Sequence, residues 1–144
     1  MTTTPHRPDP APRPPRLPRP PRPTVRLHLW LEEDGEMVFG MGRAMLLMAI
    51  DEHGSLKKAA EALGMSYRAA WGKLKQTETA LGLRLVEKAG SNREGYRLTP
   101  VGREAMDRFR AWFATVERCA VESAAAVLPW PVRQFEDKPR DGDT

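Results

Sequence analysis

From residue 42 to residue 81 apolar positions recur in steps of three and four, and glycine marks each break in the rhythm. That period is the signature of helices burying one face. Residues 42–52 read as a first helix, with Met45, Leu46, Met48, Ala49 and Ile50 on its apolar side and His53-Gly54 as its stop. Ser55 is a side-chain cap for a short second helix over residues 56–63, which turns Ala59, Ala60 and Leu63 inward. Gly64 supplies the left-handed residue a tight turn needs, and Met65 packs that turn. Ser66 caps a third helix from residue 67 to about residue 81, whose core positions are Ala70, Leu74 and Leu81.

On either side the pattern changes. Residues 26–32 alternate imperfectly and predict a strand, Asp34-Gly35 is a hairpin turn signal, and residues 36–40 are the returning strand. A two-stranded hairpin is marginal alone, so it must pack on the domain or on a second subunit. After Gly82-Leu83, residues 85–88 and 96–99 predict two short strands around a polar loop. Thr99-Pro100 is a cap followed by a proline at the first helical position, opening a long helix to about residue 127 that Pro129 and Pro131 stop. From about residue 132 the chain is polar and is expected to fray. The long helix carries Val101, Ala105, Phe109, Trp112, Val116, Cys119 and Ala120 at helical spacing, widened by Phe113 and Val127. One face can cover the domain. The strip of Phe109, Trp112, Phe113, Val116 and Ala120 exceeds what a small domain needs and predicts a partner helix, hence a homodimer; a single core that absorbs it all is the alternative.

Helix, short helix, glycine turn, helix, then hairpin is the order of a winged helix-turn-helix. The expected fold is therefore mainly α with small β wings, with an N-terminal β-hairpin and a long C-terminal dimerisation helix. In such a fold the third helix enters the major groove of double-stranded DNA by its N-terminal end, here Ser66, Tyr67 and Arg68. An arginine can grip guanine O6 and N7 with two hydrogen bonds, worth about 1–3 kcal/mol of discrimination. A phosphate clamp or a surface ion pair is the other reading of Arg68. Tyr67 can meet a phosphate, a sugar or a thymine methyl, or pack on the short helix. Trp71 stands at the boundary of core and contact face. Ser55, Lys57 and Lys58 on the short helix, with Lys73 and Lys75, surround the same face, the lysines as point charges for phosphate. Asn92 and Arg93 at the wing tip can reach a minor groove or phosphate, and Arg97 sits at the wing base; an ordinary polar loop is the alternative.

Charge narrows this picture. The net charge of the 144 residues is +4, but residues 1–24 hold five arginines and one aspartate, while residues 25–144 hold eighteen basic and eighteen acidic residues. The folded part is neutral, so any DNA-binding charge must be gathered locally. Residues 1–24 also carry ten of the fourteen prolines and no aromatic residue, and are expected to be disordered with polyproline II character. They suit a solubilising tail, a basic arm along phosphate, or a PxxP ligand. The expected division is this tail, a DNA-binding unit over 25–128, and a flexible tail over 129–144. No apolar run approaches the roughly 20 residues of a membrane span. Cys119 is the lone cysteine, which excludes an intramolecular disulfide and fits the cytoplasm. His6, His28 and His53 lack metal-ligand spacing, and no P-loop or nucleophile elbow occurs, so neither an enzyme nor a cofactor is expected. A winged helix serving protein interaction without specific DNA binding is the rival reading.

The run Gly64-Met65-Ser66-Tyr67-Arg68-Ala69-Ala70-Trp71 resembles the Gly-x-Ser-Tyr-[Lys/Arg]-x-Ala-Trp run of the ModE family, the molybdate-responsive regulators. Ile50 to Leu56, Leu85-Val86-Glu87-Lys88, Leu98-Thr99-Pro100-Val101-Gly102 and the hairpin ending Val38-Phe39-Gly40 are similar to neighbouring parts of that family. The resemblance covers roughly residues 25–127. The rest of the helix-turn-helix pattern is shared with the LysR family. The resemblance implies a transcription regulator, dimeric through the long helix. Molybdate binding is not expected of this chain, which ends soon after that helix.

Overall fold

The computed structural model describes residues 3, 5, 8–12, 21–90 and 95–136. Much of the expected Pro/Arg-rich tail, the wing-tip residues Asn92 and Arg93, and residues 137–144 lie outside the described residues.

Helix α1 (Met41–His53) is the hub of the core. Leu46, Leu47 and Ile50 are buried on it, and Gly54 ends it at φ 63° with its N–H bonded to the Ile50 carbonyl. Helix α2 (Leu56–Ala62) begins at Ser55, whose hydroxyl oxygen accepts the Lys58 N–H at 3.2 Å. The turn after it passes through Gly64 at φ 68°, a conformation that penalises any residue with a Cβ. Helix α3 (Tyr67–Leu81) is capped the same way, Ser66 Oγ accepting from Ala69 N at 3.1 Å. Strands β4 (Val86–Lys88) and β5 (Tyr96–Leu98) form the antiparallel wing. The base of the wing is stitched to the start of α2 by the Ser55–Gly95 bridge and by Tyr96 N–H donating to the Gly54 carbonyl at 3.1 Å.

Helix α4 (Pro100–Val127) has 28 residues, about 42 Å at 1.5 Å per residue. Its cap, Thr99, accepts from Gly102 N at 3.0 Å and donates its hydroxyl to the Arg84 carbonyl at 2.6 Å. Gly102 is required by close approach: a Cβ there would lie 2.0 Å from the Leu85 carbonyl oxygen. This contact seats the long helix against the segment that enters the wing.

The N-terminal hairpin, β2 (Trp30–Glu33) and β3 (Glu36–Gly40), turns at Asp34 and Gly35, both at positive φ. It packs on its own domain through Val38 and Phe39, with the Phe39 ring centroid 5.1 Å from that of Phe109 on α4. Two expectations change here. The strand predicted over residues 26–32 begins only at Trp30, and an earlier strand, β1 (Thr24–Val25), precedes it. Of the stretch expected to fray from residue 132, Arg133–Gln134 instead form β6, which pairs in parallel with β1. Side chains reinforce that pair: Arg26 lies 3.5 Å from the centre of the Phe135 ring, and Gln134 Nε2 donates to Glu117 at 2.8 Å. The architecture is the mainly helical winged helix-turn-helix with a long C-terminal helix.

Candidate nucleic-acid interface

The faces of α3 follow from what it buries. Ala70, Leu74 and Thr77 point into the core. At 100° per residue the opposite face carries Arg68, Gly72, Lys75 and Thr79, and all four are exposed. Tyr67 stands beside this face at the first turn, with 43% of its surface exposed. Lys57, Lys58 and Lys73 are exposed on α2 and α3, and Ser66 is exposed at the cap. One predicted contact moves into the scaffold. Ser55 is buried and its hydroxyl is committed to the Lys58 N–H, so it holds α2 rather than facing a ligand.

Trp71 leans toward the wing. Its ring lies 6.4 Å from the Tyr96 ring, and the Lys75 ammonium sits 4.5 Å above it. The same ammonium is 3.0 Å from Glu78 Oε1. Lys75 is therefore shared between a ring and a carboxylate. Arg97 is engaged too, its Nε donating to Glu87 Oε1 at 2.8 Å across the wing. Both arginine and partner are well exposed, so water screens that pair. Burial, and next the neighbouring Tyr67 hydroxyl, push the Tyr96 phenol above its ordinary value.

Sequence reasoning missed two supports of this face. Glu78 Oε2 accepts the Leu85 N–H at 2.8 Å and the Val86 N–H at 3.5 Å, so one carboxylate fastens α3 to the wing base. Its spacing from Lys75, three residues on the same helix, signals only the ion pair between them. Arg43 of α1 donates from Nε to Thr77 Oγ1 at 3.0 Å and from Nη2 to Gln76 Oε1 at 3.1 Å. Thr77 in turn donates to the Val38 carbonyl at 2.9 Å. This chain ties α1, α3 and the hairpin together and fixes the roll of α3. Burial lowers the Arg43 guanidinium from its ordinary value.

The hairpin tip bounds the face. Glu33, Asp34 and Glu36 share a groove with Gly72, Lys75, Gln76 and Thr79. Negative charge thus borders α3 from Gly72 onward, and Arg68 stands exposed ahead of it on the first turn.

The long helix sorts its apolar stripe differently from the expectation. Phe109 is buried in this chain's own core, against Phe39, Trp112 and Phe113, and is not an open interface position. Phe113 is half-buried against the same core. Trp112 is 40% exposed, and Val116 and Ala120 are half-buried further along. No helix of the described residues is long and apolar enough to cross a membrane.

Residues 42–103 match the family model of the bacterial regulatory helix-turn-helix protein, LysR family. The matched family is thus the more distant of the two that the sequence resembles, and the match runs from the start of α1 into α4. No curated protein matches the chain. Among solved structures, the chain is similar to the CbnR DNA-binding domain in its DNA complex, at TM-score 0.52 and 24% identity over 61% of this chain and 98% of that one. It is similar to the BenM DNA-binding domain with benA site 1 DNA, at TM-score 0.51 and 18% identity over 63% and 99%. Full-length CbnR with its target DNA gives TM-score 0.51 and 24% identity over 61% of this chain, but only 30% of that longer chain. These likenesses show the fold.

Proposed function

We propose that this protein is a transcription regulator that binds double-stranded DNA sequence-specifically as a homodimer, with α3 in the major groove. One observation carries the reading. Arg68 and Tyr67 stand exposed on the first turn of a Ser66-capped helix, where this fold presents side chains to base edges. Lys57, Lys58 and Lys73 are exposed nearby to meet phosphate, and two neighbours of this fold are DNA-binding domains in complex with DNA. The finer likeness to ModE rests on Tyr67 and Trp71, which flank the wing residue Tyr96 instead of filling the core. Trp112, Phe113, Val116 and Ala120 offer a partner the apolar strip of α4. A two-fold pair of such heads reads an inverted repeat with half-sites about 34–36 Å apart, or a multiple of that.

A second reading is favoured by the exposed Trp30, Leu31, Met37 and Met45 beside the hairpin, which suit a protein-interaction module. Selection of bound fragments from a genomic DNA pool, followed by sequencing, tests the first. An enriched inverted repeat is expected, and a pool with none overturns specific regulation. A salt series separates the two readings. Duplex affinity falls linearly on a log–log plot as counterions are released, whereas no affinity even at low salt leaves the interaction module.

A further inference from the structure

Gly72 has no reason to be glycine in the fold itself. It lies in the interior of α3, it does not adopt positive φ, and a Cβ built on it meets nothing within 4 Å. Gly64 and Gly102 show what a structural glycine looks like here, one at φ 68° and the other with a backbone oxygen 2.0 Å from its missing Cβ. Glycine in a helix interior is less favourable than alanine, because it leaves more backbone freedom to be lost on folding. The position therefore carries a cost that no contact in this chain offsets. It also lies in the centre of the exposed face, one turn after Arg68 and one turn before Lys75 and Gln76.

We infer that Gly72 is the point where the α3 backbone comes closest to the duplex, a bare turn that lets the helix seat to its full depth. The inference rests on the DNA-binding reading above. A helix with its side chains is about 10–12 Å across, and the major groove is about 12 Å wide. The fit leaves little slack, so removing one side chain from the leading face lets the axis move inward. Arg68 on the preceding turn then reaches base edges rather than only the phosphate rim. Glu33, Asp34 and Glu36 of the hairpin tip share a groove that reaches Gly72 itself, so the duplex must approach this turn from the Arg68 side. Gly72 thus sets depth, and Arg68 sets register.

The test uses the full chain, a duplex carrying the selected site, and the variants Gly72→Ala and Gly72→Gln. Gly72→Ala is expected to raise Tm by about 2–4 °C, since the exposed helix gains a better helix former. Duplex affinity is expected to fall roughly tenfold in Gly72→Ala, a loss on the scale of one mismatched base pair, and further in Gly72→Gln. The salt slope is expected to stay at its wild-type value, because no cation is lost. Wild-type affinity in both variants overturns the inference and leaves the DNA reading intact. A lower Tm in Gly72→Ala also overturns it, because the glycine would then serve the fold. A wild-type chain that binds no duplex removes the DNA reading and this inference together, and that outcome is visible before any variant is measured.

Discussion

At the scale of residues, the cations divide by whether a partner already holds them. Among the described residues Lys75, Arg97, Arg103 and Arg108 are in ion pairs, and Arg68 and Lys73 are not. Arg68→Ala is expected to relax preference at one base pair by about 1–3 kcal/mol. Lys73→Ala should weaken every sequence alike and lower the salt slope by about 1. Competition titrations with matched and mismatched duplexes measure both, and equal losses on all sequences would mean that Arg68 only clamps phosphate. Tyr96 gives a test without DNA. Its folded value is raised, mainly by burial, so the folded chain keeps the phenol proton at a pH where the unfolded chain loses it. That contribution is complete below about pH 10, the ordinary tyrosine value, and is lost as pH rises through the folded value. Denaturant unfolding across that range should show an alkaline loss of stability that Tyr96→Phe reduces; an identical slope in both proteins refutes it. The capping residues Ser55, Ser66 and Thr99 were legible because capping is a local signal. What Ser55 lacks was not legible: its burial depends on the wing folding back over it from forty residues away.

At the scale of elements, Glu78 decides how firmly the wing rides with α3. Its carboxylate takes two backbone N–H groups of the segment entering the wing and also pairs with Lys75. Glu78→Ala leaves those donors without their acceptor and is expected to cost about 1–3 kcal/mol. Amide exchange should quicken at Leu85 and Val86 before the rest of the domain, and uniform acceleration would contradict a local joint. The elements with strong periods, α1 to α4, were legible to within a residue or two, as was the returning strand of the hairpin. The β1–β6 pair was not. Two-residue strands carry no period, and their partners lie more than a hundred residues apart, so only tertiary structure brings them together.

At the scale of the molecule, the α4 stripe separates folding from the proposed assembly. Phe109 fills the monomer core, so Phe109→Ala is expected to lose about 3–5 kcal/mol of stability. Trp112 is exposed, so Trp112→Ala should keep the fold and weaken self-association, read by sedimentation beside a thermal melt. A variant that melts early yet stays as associated as the native chain would refute that division. Periodicity predicted more apolar surface on α4 than one small domain needs, but not which residues the hairpin would claim, since Phe39 reaches Phe109 from the other end of the fold. The β1–β6 pair has a further consequence. Its strands run the same way, so the chain enters β1 at one end of the pair and leaves β6 at the other. A pull on the two flanks of the unit therefore loads the pair in shear, with its backbone hydrogen bonds strained together rather than opened one after another. By the same geometry a circular permutant that joins the two flanks needs a crossover linker of about a dozen residues or more to keep the fold.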